Sequence, residues 1–180
     1  MVVNNINKGG ESMVKDNLIE VLHEMEEVTQ FFKLEPFDIY IIGGGACILG
    51  EYTTRATLDI DFVDLGYPAK YGKVFVLLRD YDMLEYESTL LSPTYKQRAL
   101  KLEEFHYINV YILSREDIVA SKIIRLAEKD IEDLDQIIPY CDKKVLNLII
   151  EEILNREDLF ESKKAEFNKK LSIFREKYNV

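Results

Sequence analysis

Apolar residues recur at Val14, Leu18, Val21, Leu22, Met25, Val28, Phe31 and Phe32, three or four positions apart, and predict an amphipathic helix from Val14 to about Phe32. Pro36 prevents its continuation. The run from Phe37 to Ile42 is short, apolar and rich in aromatic and β-branched residues, the signature of a buried strand. Gly43-Gly44-Gly45 breaks that strand, and a short helix is expected from Ala46 to about Tyr52. Between Leu58 and Val63 the pattern alternates: Leu58, Ile60 and Phe62 on one side, Asp59 and Asp61 on the other. That period of two predicts a strand with one apolar and one acidic face.

Further along, Pro68 opens an expected helix to about Asp80, Met83 to Thr89 is weakly strand-like, and Tyr107 to Leu113 is a clearer strand. Ser114 with Asp117 three residues on forms a capping box before a helix carrying Ile118, Val119, Ile123, Ile124 and Leu126. A break is expected near 128–130, then a second helix to Ile138 stopped by Pro139. From Lys143 onward the pattern is helical, ending in a stripe of Phe160, Phe167, Leu171, Phe174 and Tyr178. The fold class is therefore α/β (α+β): a mixed sheet flanked by helices, with a helical C-terminal part. The expected division is a flexible, polar N-terminus at 1–12, an α/β core at 13–114, and helices at 115–180 that complete a cleft.

The chain has 180 residues, enough for one domain with a helical extension, and 47% are apolar, enough for a core. No run of 18 apolar residues is present, so no membrane span is expected. The first residues lack the apolar stretch of a secretion signal, and two distant cysteines, Cys47 and Cys141, give neither a disulfide framework nor a zinc site. A cytoplasmic protein is expected. The net charge of -10 repels a phosphate backbone at long range, which disfavours a general nucleic-acid coat while leaving room for a local basic patch.

The chemistry concentrates at Asp59 and Asp61. Two residues apart on a strand, their carboxylates leave the same face about 7 Å apart at the base. Like charges so placed repel, and a divalent cation such as Mg²⁺ relieves that cost, completing its shell with phosphate oxygens. A solvated acidic strand face is the ordinary alternative for the Asp-x-Asp pattern alone. The glycine turn after the preceding strand adds backbone N–H groups, at Gly43 and Gly44, that a phosphate can approach. Arg55 and Thr57 just precede the acids. Arg55 has two uses open to it, a fork onto phosphate or an ion pair with Glu51 or Asp59. Lys122, on an otherwise apolar helix, either snorkels to solvent or serves a ligand. Asp130 suits the N-cap of the second helix, with Asp133 at its third position. Lys122 and Asp133 are eleven positions apart, about 16 Å on one straight helix, so they share a pocket only if the chain bends between them. His23 and His106 form no pair, Cys47 reads as core, and Ser114 lacks any hydrolase context.

The order Ile42-Gly43-Gly44, then Arg55-Ala56-Thr57-Leu58-Asp59-Ile60-Asp61, resembles the opening of the nucleotidyltransferase superfamily. It is most similar to the small bacterial nucleotidyltransferase-like DUF6036 group and to AbiEii-type toxins of toxin–antitoxin systems. Fourteen residues separate Gly44 from Asp59. Tyr95-Lys96-Gln97-Arg98, the strand at 109–113, the helix from Glu116 to Lys122, and Lys129-Asp130-Ile131-Glu132-Asp133-Leu134 extend the likeness over about 37–139. The resemblance implies transfer of a nucleoside monophosphate from an NTP to an acceptor: an RNA end, a protein or a small molecule. It implies that Gly43 and Gly44 line the phosphates, Asp59 and Asp61 hold Mg²⁺, Lys122 contacts phosphate, and Asp130 or Asp133 completes the site. Many superfamily members add a third carboxylate on a later central strand, and 108–112 carries none; Glu85 or Glu87 would have to substitute. That departure keeps a second reading, a catalytically inactive nucleotide-binding module. A third is an interaction protein whose C-terminal helices, if exposed, contact a second copy or an antitoxin.

Overall fold

In a computed structural model, which describes residues 14–57, 60–78 and 81–180, the four predicted strands and a short unpredicted one meet in one mixed sheet of five. The amphipathic helix is α1 (Lys15–Phe31), burying Leu18, Leu22 and Met25 as its spacing requires. It leads to β1 (Asp38–Ile42), and α2 (Gly43–Leu49) starts on the very next residue. The short helix therefore contains the three glycines rather than following them. After β2 (Ile60–Asp64), the stretch expected to be one helix from Pro68 is α3 (Gly72–Phe75) between two 3₁₀ turns at Ala69–Tyr71 and Val76–Leu78. β3 is Tyr81–Glu85, α4 is Tyr95–Arg98, β4 is Leu100–Lys101 and β5 is Asn109–Ile112. The expected N-terminal tail at 1–12 lies outside the described residues.

The strand order is β3-β2-β1-β5-β4. β1 runs antiparallel to β2 and parallel to β5, β2 runs parallel to β3, and β4 pairs antiparallel with β5. Register puts Ile39, Ile41, Phe62, Val110 and Ile112 on one face, all buried. The opposite face carries Tyr40 stacked on Tyr111, with centroids 4.6 Å apart, and Tyr95 edge-on to Tyr40. Asp61 belongs to this second face, because it pairs with Ile42.

Four helices follow: α5 (Arg115–Lys122), α6 (Glu128–Ile137), α7 (Lys143–Leu154) and α8 (Glu161–Tyr178). Ser114 caps α5 as the sequence predicts, accepting from the Asp117 N–H at 3.1 Å. α5 ends at Lys122, earlier than expected, and the chain reverses through Leu126 at φ 46°, a left-handed conformation uncommon for a residue with a Cβ. α5 packs against α2, α6 and α7. The terminal stripe is covered by its own chain: Phe167, Leu171 and Phe174 are buried, and only Phe160, ahead of α8, stays exposed. Among the described residues, no helix is long and apolar enough to cross a membrane.

Two arginines, buried Arg156 and half-buried Arg98, fasten the segment between β3 and β5 to these helices. Arg156 donates to the carbonyls of Tyr86, Thr89 and Leu91 at 2.7–3.1 Å and lies over the Tyr86 ring. Arg98 forks onto fully buried Asp117 at 2.8 and 2.9 Å and also reaches Ser92 and Thr94. Carbonyls and a carboxylate removed from water are thereby satisfied.

Candidate active site

The close approach of β1 to β2 builds the site. Gly43 has φ +66°, and a Cβ added there would lie 2.4 Å from Asp61 Oδ2; one added at Gly44 would lie 2.6 Å from Thr57 Oγ1. Glycine is required because the Asp61 carboxylate and the Thr57 hydroxyl occupy the space a side chain would fill. Gly43, Gly44, Thr57 and Asp61 are thus gathered at the start of α2. Asp59 lies outside the described residues. Gly43→Ala is expected to cost about 1–3 kcal/mol, through the left-handed backbone and the contact with Asp61. Gly72→Ala, at an ordinary φ with open space around it, is the matched control and should leave the melting temperature unchanged or slightly raised.

The neighbour that β2 presents to Asp61 is Asp82. β2 and β3 run parallel with Asp61 and Asp82 in register, so both leave the same face of adjacent strands, about 4.8 Å apart at the backbone. β5, which lacks an acid, is separated from β2 by β1 and does not border Asp61. Glu85 sits three residues past Asp82, in register with Asp64, and Glu87 lies in a 3₁₀ turn; neither neighbours Asp61 along the sheet. They line a separate cavity of about 650 Å³ with Asp64, Tyr86 and Lys96. Asp82 was missed because the strand was expected to begin at Met83. The signal was present in Tyr81 and Leu84, the half-buried residues of an edge strand.

Behind this face lies a buried ionic cluster. Asp133, fully buried, accepts a two-pronged contact from Arg55, Nε to Oδ1 at 2.9 Å and Nη2 to Oδ2 at 3.0 Å. Lys122 Nζ donates to Asp133 at 2.7 Å and to Asp130 at 3.2 Å. Asp130 also accepts from Arg125 at 2.8 Å and from the Ala127 N–H at 3.3 Å. Lys122 is only 2% exposed, so it does not snorkel. The turn at Leu126 brings it to Asp133 across eleven positions of sequence. Asp130 is the third residue of α6, not its N-cap, which is Ala127. Arg55 pairs with Asp133, whereas Glu51 is taken by Lys15.

Burial pushes the Asp133 carboxyl up, but hydrogen bonds from Arg55 and Lys122 outweigh it and hold the group below the ordinary carboxylate value. Cys47, on α2, feels the same charges; burial dominates and pushes its thiol up to about 12, so it is a core residue and not a nucleophile. The Arg55–Asp133 pair, with Gln136 accepting from the Thr54 N–H and hydroxyl, ties the loop before β2 to α6. The cluster holds three cations against two carboxylates, with Arg55 half-buried at one end and Arg125 exposed at the other.

Among the described residues, no three His, Cys, Asp or Glu side chains are grouped to hold a metal by themselves. Asp61 and Asp82 nonetheless supply two hard carboxylate donors on one face. That set fits an ion that takes its remaining ligands from phosphate oxygens and water. No curated protein and no solved structure matches the chain. The profile of the family described as nucleotidyltransferase of unknown function (DUF6036) matches residues 16–179, and the chain belongs to that family.

Proposed function

We propose that the protein transfers a nucleoside monophosphate from an NTP to an acceptor hydroxyl, with Mg²⁺ held by Asp61, Asp82 and Asp59. The observation that carries this reading is the Asp61 carboxylate standing where a side chain at Gly43 would be, at the start of α2. It puts a cation ligand beside amide groups that favour phosphate. Gly43 and Gly44 would offer N–H groups to the phosphates and Thr57 its hydroxyl. Arg55 spends Nε and Nη2 on Asp133, and its Nη1 has no hydrogen bond among the described residues, leaving it to point at phosphate. Lys122, Asp130 and Asp133 act as the frame that holds Arg55, since the Lys122 ammonium is enclosed between the two carboxylates.

In the reaction, the acceptor oxygen bonds to the α-phosphorus while the bond from that phosphorus to the pyrophosphate oxygen breaks. The acceptor's proton passes to solvent water and pyrophosphate leaves. When bound, the metal supplies charge neutralisation on the phosphates. The acid-free β5 does not favour the inactive reading, because Asp82 and not β5 borders Asp61.

The test is incubation with α-labelled NTPs and cell extract, beside calorimetry with Mg-NTP. Label is expected in an acceptor, lost on chelation and restored by Mg²⁺. Mg-NTP binding without any transfer would return the protein to the nucleotide-sensing reading. Absence of both would remove nucleotide chemistry, together with any role in a toxin–antitoxin pair that depends on it.

A further inference from the structure

A cavity of about 750 Å³ opens at the other end of α2, outside the machinery assigned above except for the flank of Arg55. Gly43 and this cavity are separated by the seven-residue helix, about 10 Å along its axis. Its volume is that of a small-molecule site. Arg115 lines it, half-buried, with its guanidinium 4.7 Å from the centre of the Tyr52 ring and no carboxylate partner among the described residues. Thr53 also lines it, and its hydroxyl oxygen is buried with no hydrogen-bond partner. Tyr140 stands at the rim 75% exposed, beside Pro139.

The other charges at the cavity are already engaged. Lys15 pairs with Glu51, Arg55 with Asp133, and Asp135 accepts from Tyr178 at 2.8 Å and faces Lys177 at 3.4 Å. Among the cations lining the cavity, Arg115 is therefore the one without a carboxylate partner among the described residues. It sits in the first turn of α5, the positive end of the helix dipole, so helix stability gives no reason for a cation there. In a chain of net charge -10, a cavity lined by three basic residues and two carboxylates is a local exception.

We infer that this cavity is a ligand site for a small molecule joining one anionic group, phosphate monoester or carboxylate, to a flat apolar part. The anion sits on Arg115, and the flat part lies against Tyr140 and Pro139. This goes beyond the nucleotide reading and does not require it.

Calorimetry on the full chain with a chelator present, using phenyl phosphate, benzoate and inorganic phosphate as probes, tests the site. At least one aromatic probe is expected to bind saturably, and whichever of the two binds tighter identifies the anion. Arg115→Gln should weaken that probe about tenfold or more, the loss expected for a charge-assisted contact. Tyr140→Ala, an exposed position whose truncation leaves the fold intact, should weaken the aromatic probe while sparing inorganic phosphate. Asp61→Asn should leave the affinity for these probes unchanged. The inference is overturned if neither aromatic probe binds at millimolar concentration, or if a folded Arg115→Gln variant binds within twofold of wild type. It is also overturned if Asp61→Asn removes the binding, which would place the probe in the nucleotide site and leave the proposed function standing. Should Arg115→Gln not fold, equal affinities in Tyr140→Ala and wild type for the aromatic probe overturn it.

Discussion

Asp61→Asn is expected to reduce nucleotidyl transfer about a thousandfold while leaving the melting transition where it is. The substitution keeps the shape that fills the space above Gly43 and removes only the charge, so the glycine contact gives no reason for unfolding. What is lost is a charged ligand to the cation, and neutralisation of phosphate charge by a bound metal is worth several kcal/mol, or about three powers of ten in rate. Asp82→Asn, on the more exposed edge strand, should act in the same direction with a smaller effect. The readout is the initial rate of label transfer at saturating Mg-NTP, beside a thermal melt of each variant. Transfer by Asp61→Asn at the wild-type rate would falsify the assignment of this carboxylate, whatever the acceptor proves to be.

Periodicity made the main elements legible, because burial on one side writes itself into the local pattern. α1, β1 and the capping of α5 follow directly from such patterns. The Asp61 face of β2 was legible for the same reason: an acid between two buried apolar residues must point away from them. The glycine turn was legible as a break but not as part of a helix. Only the partner side chains, Asp61 and Thr57, explain why glycines begin α2. β3 was misplaced because an edge strand is half-exposed and carries no continuous apolar run. The ionic cluster was invisible in its connections. Arg55 and Asp133 lie 78 positions apart, and nothing local in either segment names the other. The bend that joins Lys122 to Asp133 falls at Leu126, a residue type that signals continuation rather than a turn. The break was expected at 128–130, whereas the reversal comes before α6 begins at Glu128.

Lys122→Met is expected to destabilise the fold by about 3–5 kcal/mol at neutral pH, because it leaves Asp130 and Asp133 fully buried without the ammonium between them. For a domain of this length that is a fall of about 10 °C in melting temperature. A snorkelling lysine would have cost almost nothing, so the size of the loss separates that role from the frame between Asp130 and Asp133. The pH dependence adds a sharper test. In the wild type the Asp133 pKa is held below its unfolded value, so its pairing stabilises above the ordinary carboxylate range and is lost as pH falls through the lowered value. In Lys122→Met one of the two contacts that lower it is gone, and protonation then relieves the uncompensated charge. The gap between variant and wild type should be full near pH 7 and narrow below about pH 4, where carboxylates take up protons. Thermal melts of both proteins across that range measure it. A gap that stayed constant with pH would assign the loss to packing of the lysine stem, and Arg55 would then owe its position to Asp133 and Gln136 without help from Lys122.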